Sequence, residues 1–122
     1  MIPEDVLRFV RDSIKSVWAL ELLLFMRRNS TQAWTIEQLA KELRSNQQLV
    51  TDILSSFTAS GLVSTNPDGT FRYRPENAGS DALVTRLDRV YAETPLALIK
   101  QIVSAPNEKI QSFSDAFRIK RD

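Results

Sequence analysis

Cysteine and histidine are both absent from the 122 residues of this chain. Their absence excludes disulfides, thiolate nucleophiles and imidazole bases, and it removes the ligands that most zinc, copper and haem sites require. We therefore expect no metal, no cofactor and no enzymatic activity. A chain without cysteine is also compatible with the reducing cytoplasm, where we expect the protein to reside.

Glycine and proline are scarce, with 3 and 5 residues, and the hydrophobic fraction of 43% is that of an ordinary folded protein. The length suits one domain with a single core, which we place over residues 1–122. The most apolar run, 17–26, is shorter than the roughly 20 residues of a membrane span and contains Glu21. We expect no contact with a membrane.

Neither sign of charge dominates, because 16 lysines and arginines face 15 aspartates and glutamates for a net charge of +1. A protein that binds nucleic acid mainly through bulk electrostatics has a basic excess. Any binding to nucleic acid must therefore depend on where a few side chains are placed.

Helical periodicity begins near Pro3, which suits the first turn of a helix. A second helix follows Ser16 as its N-cap and is apolar on nearly every side, so we expect it at the centre of the fold. Arg27 and Arg28 close that helix, where cations complement the C-terminal dipole. We interpret these two arginines as a helix end rather than as a phosphate contact.

Two short helices separated by a tight turn come next. Thr35 and Gln38 form a capping box at the start of the first of them. Ser45 and Gln48 form a second possible capping box, which opens a helix over about residues 46–60. This segment therefore reads as helix, tight turn, helix.

The region 62–74 contains two β-prone runs on either side of a turn cluster, which predicts a small hairpin. Trp34 lies in a segment that can add a very short strand. Farther along, Ser80 is the predicted cap of a helix that extends to residue 93. Pro95, after a threonine cap, opens another helix.

This order of elements resembles the winged helix-turn-helix, and residues 17–74 are similar to bacterial regulators of the MarR and ArsR type. Ala40 and Val50 match the small and apolar positions of the family pattern, whereas Arg44 stands at the turn where many such motifs have glycine. The whole chain also resembles small proteobacterial winged-helix proteins.

The resemblance implies a mainly α (α+β) fold: a winged helix-turn-helix with a small β-hairpin wing and extra helices at both ends. The flanking segments 1–15 and 80–122 are then expected to serve oligomerisation. The implied function is that of a transcriptional regulator that binds double-stranded DNA. It would use a recognition helix over 46–60 and a wing over 62–74.

The candidate DNA contacts are the polar and basic side chains on the turn, the recognition helix and the wing. On a helix whose apolar residues pack inward, the polar face is presented to a groove, where amides can bond adenine and hydroxyls can bond bases or phosphates. Asp52, on the same helix, would repel phosphates. The candidates are Arg44, Ser45, Asn46, Gln47, Gln48, Thr51, Ser55, Arg72 and Arg74.

Two alternatives stay open. A polar helix face is also typical of any solvated helix, and winged helices also bind proteins, so the domain can be an interaction module that regulates a transcription or signalling partner without binding DNA. In the wing, the two arginines alternate with aromatics and can straddle a minor groove, or they can simply be solvated. We interpret Trp18, Phe25 and Trp34 as core residues rather than as an effector pocket.

A single wing domain reads only a few base pairs, so we expect a homodimer with two half-sites. Among the candidate interface helices, the one over 80–93 has the clearest apolar stripe. In the tail 107–122, Ile110, Phe113 and Phe117 recur at helical spacing. We expect this tail to dock on its own subunit or on the dimer mate, with another protein partner as the alternative.

Overall fold

A computed structural model describes residues 2–104. The predicted docking of the tail 107–122 lies outside these residues. Within them the elements are α1 (Glu4–Ser13), α2 (Val17–Arg28), α3 (Ile36–Glu42), α4 (Gln47–Ala59), β1 (Val63–Thr65), β2 (Phe71–Tyr73), α5 (Ala78–Glu93) and α6 (Pro95–Ser104). None of the described helices is both long and apolar enough to cross a membrane.

The second helix, α2, lies at the centre of the core, as its all-round apolar sequence predicts. Ser16 caps it, because the Ser16 hydroxyl oxygen accepts a hydrogen bond from the Ala19 amide at 3.1 Å. The helix packs against β2 and α6. Six of its residues are buried: Ala19, Leu20, Leu22, Leu23, Leu24 and Met26.

The capping box of α3 forms as predicted. The Gln38 amide donates to the Thr35 hydroxyl at 3.0 Å, and the Thr35 amide donates to the Gln38 side-chain oxygen at 2.9 Å. Both orphan amides at this helix start are thereby satisfied. Helix α3 then packs against α4 through Leu39 and Ala40, which are buried.

The predicted capping box of Ser45 and Gln48 is wrong. The N-cap of α4 is Asn46, whose side-chain oxygen accepts a hydrogen bond from the Leu49 amide at 2.8 Å. The Ser45 amide instead donates to the Ala40 carbonyl at 2.9 Å. Ser45 therefore closes the preceding helix, and Asn46 opens the next one.

The wing is a two-stranded antiparallel hairpin in which Val63 pairs with Tyr73. Trp34 adds the short third strand that the sequence suggests, because its amide and carbonyl both bond the backbone of Phe71 at 2.8 and 2.7 Å. Gly61 connects α4 to β1 with φ of 76°, a left-handed conformation that glycine adopts without strain. Glycine is the usual residue in this conformation just after the end of a helix.

The cap of α5 differs from the prediction. Asn77, not Ser80, occupies the N-cap position, and its side-chain oxygen accepts from the Ser80 amide at 2.8 Å. The helix therefore begins three residues earlier, with Gly79 inside its first turn. Pro3 is likewise the residue before α1 rather than its first residue, whereas Pro95 does open α6.

The apolar stripe of α5 packs inside the subunit against α1 and α6, with Val84 and Leu87 fully buried. A second stripe on α5 is polar and faces α2. There Asp88 accepts hydrogen bonds from Arg27, at 2.9 Å, and from Arg28. Arg27 and Arg28 thus join α2 to α5, a role beyond the helix end predicted for them.

Two further polar contacts tie α5 to its neighbours. The Tyr91 hydroxyl donates to Glu21 of α2, and Arg86 forms an ion pair with Asp5 of α1 at 2.6 Å. The hydrogen bond to Glu21 raises the pKa of Tyr91, because a phenol that donates to a carboxylate gives up its proton less readily. The hydrogen bond to Asp88 similarly raises the pKa of Arg28.

Replacement of Asp88 tests the junction between α2 and α5. Asp88→Ala leaves the half-buried Arg27 guanidinium without its carboxylate, and we expect the free energy of unfolding to fall by about 1–3 kcal/mol. Arg86→Ala is the matched control, because it removes an ion pair that is 45% exposed on both sides. That change should cost less than about 1 kcal/mol. Urea unfolding measures both, and equal losses would contradict the role given to Asp88.

Candidate nucleic-acid interface

Helix α4 has one buried face and one exposed face. At 100° per residue, Gln48, Asp52 and Ser55 lie directly opposite the buried side. All three are exposed. The buried side consists of Val50, Ile53, Leu54 and Phe57.

The structure places the predicted contact residues in two groups, one along the turn and α4 and the other on the wing. Ser45 is half-buried. The exposed members of the first group are Arg44, Asn46, Gln47, Gln48, Thr51 and Ser55, and those of the second are Arg72 and Arg74.

Local hydrogen bonds already use part of the polar surface of α4. The Asn46 side-chain oxygen caps the helix, so its amide group is the part that still faces solvent. The Thr51 hydroxyl donates to the Gln47 carbonyl at 2.7 Å, and it retains its acceptor lone pairs. These hydrogen bonds fix the orientations of the Asn46 and Thr51 side chains.

The turn between α3 and α4 contains a strained residue. Arg44 has φ of 53°, in the left-handed region where glycine is favoured. The turn thus has the conformation that favours glycine, although an arginine occupies it. The strain for a non-glycine residue is about 1–2 kcal/mol. The guanidinium that it carries is exposed beside the start of α4.

The two wing arginines differ in their surroundings. The Arg72 Nε donates to the Ser30 carbonyl at 3.1 Å, which holds the wing to the loop after α2. Arg74 follows β2, with its amide bonded to the Leu62 carbonyl at 3.0 Å and its side chain exposed. Both side chains are exposed, and the one held to a neighbouring element by a hydrogen bond is Arg72.

The inner face of the wing is anchored by Tyr73, a contact that sequence reasoning missed. Its hydroxyl donates to Asp81 in the first turn of α5 at 2.8 Å. Burial, and next the hydrogen bond to this carboxylate, raise the pKa of Tyr73 well above its usual value. Alternation along β2 predicts that Tyr73 points inward, but its partner lies across the turn between the wing and α5, and no local rule places that carboxylate beside the hydroxyl.

The tip of the wing is closed by Asp68 and Thr70. An oxygen of the Asp68 carboxylate accepts from both the hydroxyl and the amide of Thr70, at 2.6 and 3.0 Å. These bonds stabilise the charged form and lower the pKa of Asp68. These two bonds hold the turn locally, together with the bond from the Asn66 side-chain amide to the Thr70 hydroxyl oxygen at 3.0 Å.

Acidic side chains do not dominate the candidate surface. Asp52 is the one carboxylate on α4, and it accepts a hydrogen bond from the Gln48 side-chain amide at 3.0 Å. Counted over the turn, α4 and the wing, three arginines (Arg44, Arg72 and Arg74) face two carboxylates, Asp52 and Asp68 of the wing tip. This pairing of Gln48 with Asp52 was not predicted, although their spacing of four residues places them one turn apart on a helix.

The aromatic residues considered for an effector pocket do not form one together. Phe25 and Trp34 pack on each other with ring centroids 5.0 Å apart and lie against the core, as predicted, whereas Trp18 is 43% exposed, so its prediction as a core residue is wrong. A cleft of about 330 Å³ lies elsewhere, between the junction of α1 with α2 and the side of α4. Lys15 and Asp52 are among the residues that line it.

Comparisons with known proteins support the fold. No protein-family model matches the sequence, and no curated protein matches it. Solved structures do match, among them two mutants of S. aureus MepR, one of which is bound to an oligodeoxyribonucleotide. Each shares 14% sequence identity with this chain, and the matched region covers 97% of this chain and 85% of the MepR chain. The TM-score is 0.54 for the DNA-bound mutant and 0.55 for the other. The mainly α winged helix of MarR type is thereby confirmed as the fold.

The strained turn gives a stability test. Arg44→Gly removes the steric penalty of the left-handed conformation, and we expect a net gain of about 0.5–1 kcal/mol in the free energy of unfolding after the added entropy of the unfolded chain. Arg44→Ala is the control, because it removes the same guanidinium yet keeps a Cβ at this φ. Urea unfolding should show a gain for glycine and none for alanine. Equal stability of the two variants would contradict the strain at this turn.

Proposed function

We propose that this protein is a DNA-binding transcriptional regulator that inserts α4 into the major groove and places the wing alongside. The observation that carries the proposal is the exposed polar face of α4, with an exposed cation at the turn before it. The same fold is seen in a MepR mutant bound to DNA. The proposal includes no catalytic activity and a location in the cytoplasm.

The contacts to bases are assigned to the first turns of α4. Gln47 and Gln48 carry amides that can bond adenine with one donor and one acceptor, Ser55 carries a hydroxyl that can bond bases or phosphates, and the Thr51 oxygen can accept from a base. The first amides of α4 also point outward from the helix start, where they can hold a phosphate oxygen. Sequence preference would therefore come from the glutamines.

The contacts to phosphates are assigned to cations on both sides of this helix. Arg44 precedes α4, and Arg74 follows β2, so each can reach the DNA backbone near one end of the recognition surface. Arg72 contributes charge from the wing while it also bonds Ser30. Since the net charge is only +1, we expect affinity to depend on these few residues.

We further propose that the protein acts as a homodimer. The apolar stripe of α5, which the sequence favoured as the interface, is used inside the subunit. Helix α6 instead exposes Leu96 at 81% and Val103 at 60%, and these residues lie two turns apart on one side of the helix. Exposed apolar side chains of this size support an interface at α6.

Removal of the wing cations tests the DNA contact. Arg72→Ala combined with Arg74→Ala should weaken binding to duplexes of any sequence and reduce the slope of log affinity against log salt by at most about 2. The control is Arg89→Ala, which removes an exposed arginine from α5. Fluorescence anisotropy at several salt concentrations measures each slope.

Two results would contradict DNA binding. One is an absence of binding to any duplex in low salt, which would instead favour an interaction module that acts on a protein partner. The other is an unchanged salt slope in the double variant.

Dimerisation is tested separately by light scattering at tens of micromolar protein. We expect the mass of a dimer for the natural chain and of a monomer for Leu96→Glu with Val103→Glu, because a buried unpaired carboxylate opposes association. Thr58→Glu is the control, since Thr58 is exposed at the far end of α4. A monomeric natural chain would reject the dimer.

A further inference from the structure

The hydrogen bond between Gln48 and Asp52 lies in the middle of the proposed DNA-reading surface. Both side chains are exposed and point away from the buried face of α4, and the Gln48 Nε2 donates to the Asp52 Oδ1 at 3.0 Å. An ionised carboxylate has no proton to donate, so it can take part in hydrogen bonds only as an acceptor. The amide nitrogen of Gln48, and not its oxygen, must therefore face Asp52.

This restraint decides what Gln48 can offer to a base. Its amide has two N–H donors and one oxygen acceptor. With one donor held by Asp52, Gln48 presents one donor and one acceptor side by side. That pattern matches N7 and N6 of adenine, whereas guanine offers two acceptors, N7 and O6, in the same groove.

We propose that Asp52 is a specificity-determining residue that positions the Gln48 amide to read adenine and to reject guanine. The inference rests on the proposed function, since it assigns a base to one side chain of the same surface. Without Asp52 the amide turns freely, and both of its donors become available to guanine.

The charge of Asp52 has a second consequence. A carboxylate near the DNA backbone repels phosphates, so it lowers affinity for every sequence about equally. It also repels the acceptor atoms of guanine more than the donor of adenine. Asp52 therefore lowers the affinity for every duplex, but it increases the difference in affinity between adenine and guanine at this position. Specificity is such a difference in affinity.

The experiment uses the full chain and a library of random duplexes. Selected sequences are compared for the natural protein, Asp52→Ala, Asp52→Asn and Gln48→Ala, and affinities are then measured on duplexes that differ only in adenine or guanine at the selected position. Glu93→Gln is the control, because it neutralises an exposed carboxylate at the end of α5. Thermal unfolding of each variant verifies the fold.

We expect the natural protein to prefer adenine over guanine by about tenfold or more at the position read by Gln48. Gln48→Ala should lose that preference. Asp52→Ala should bind random duplexes more tightly yet show less than about a threefold preference. Asp52→Asn should also bind more tightly but keep more of the preference, because its side-chain oxygen still accepts from Gln48.

Two outcomes would overturn the inference while leaving DNA binding intact. One is an Asp52→Ala variant that retains the full preference for adenine. The other is a preference that changes in Asp52→Ala but not in Gln48→Ala, which would mean that Asp52 reads a base itself, as a carboxylate does with the amino group of cytosine. If the natural protein binds no duplex at low salt, the proposed function fails, and this inference fails with it.

Discussion

The fold depends on the burial of α2. A helix that is apolar on nearly every side has no face to give to water, so the other elements must surround it. Residues from 19 to 26 are buried at most positions, and β2 and α6 pack on the helix directly. Each buried leucine stabilises the fold by about 1.5–3 kcal/mol. The surfaces left for binding are those turned away from this core, such as the exposed face of α4.

Helix α5 connects this core to the wing through polar contacts rather than through apolar ones alone. Asp81 at its start holds Tyr73 of β2, and Asp88 two turns later holds Arg27 and Arg28 of α2. Hydrogen bonds have stricter geometry than apolar contacts, so they define the register of α5 against both neighbours. The orientation of the wing is thereby linked to the same helix that leads into α6.

The proposed DNA surface combines weak general attraction with ordered side chains. A net charge of +1 gives little non-specific attraction, and the carboxylate of Asp52 reduces it further. Against this, the Asn46 cap and the bond between Gln48 and Asp52 restrict the polar side chains of α4. A strained Arg44 at the turn places a cation at the start of the same helix, at a cost in stability that glycine would avoid.

Local patterns in the sequence determined the helices, the hairpin and the helix-turn-helix, because periodicity, capping residues and turn residues act over a few neighbours. The capping box of Thr35, the left-handed Gly61 and Pro95 at the start of α6 all follow from such rules. The sequence placed the caps of α4 and α5 at Ser45 and Ser80, whereas Asn46 and Asn77 occupy them. Neighbouring polar residues compete for one cap position, and the outcome depends on which backbone groups the preceding segment already uses. Side-chain contacts between elements were decided only by the tertiary structure, whether the elements are consecutive, as for Tyr73 with Asp81, or distant in the chain, as for Arg27 with Asp88. No local rule brings together residues 61 positions apart, because such pairs meet only after the core has packed.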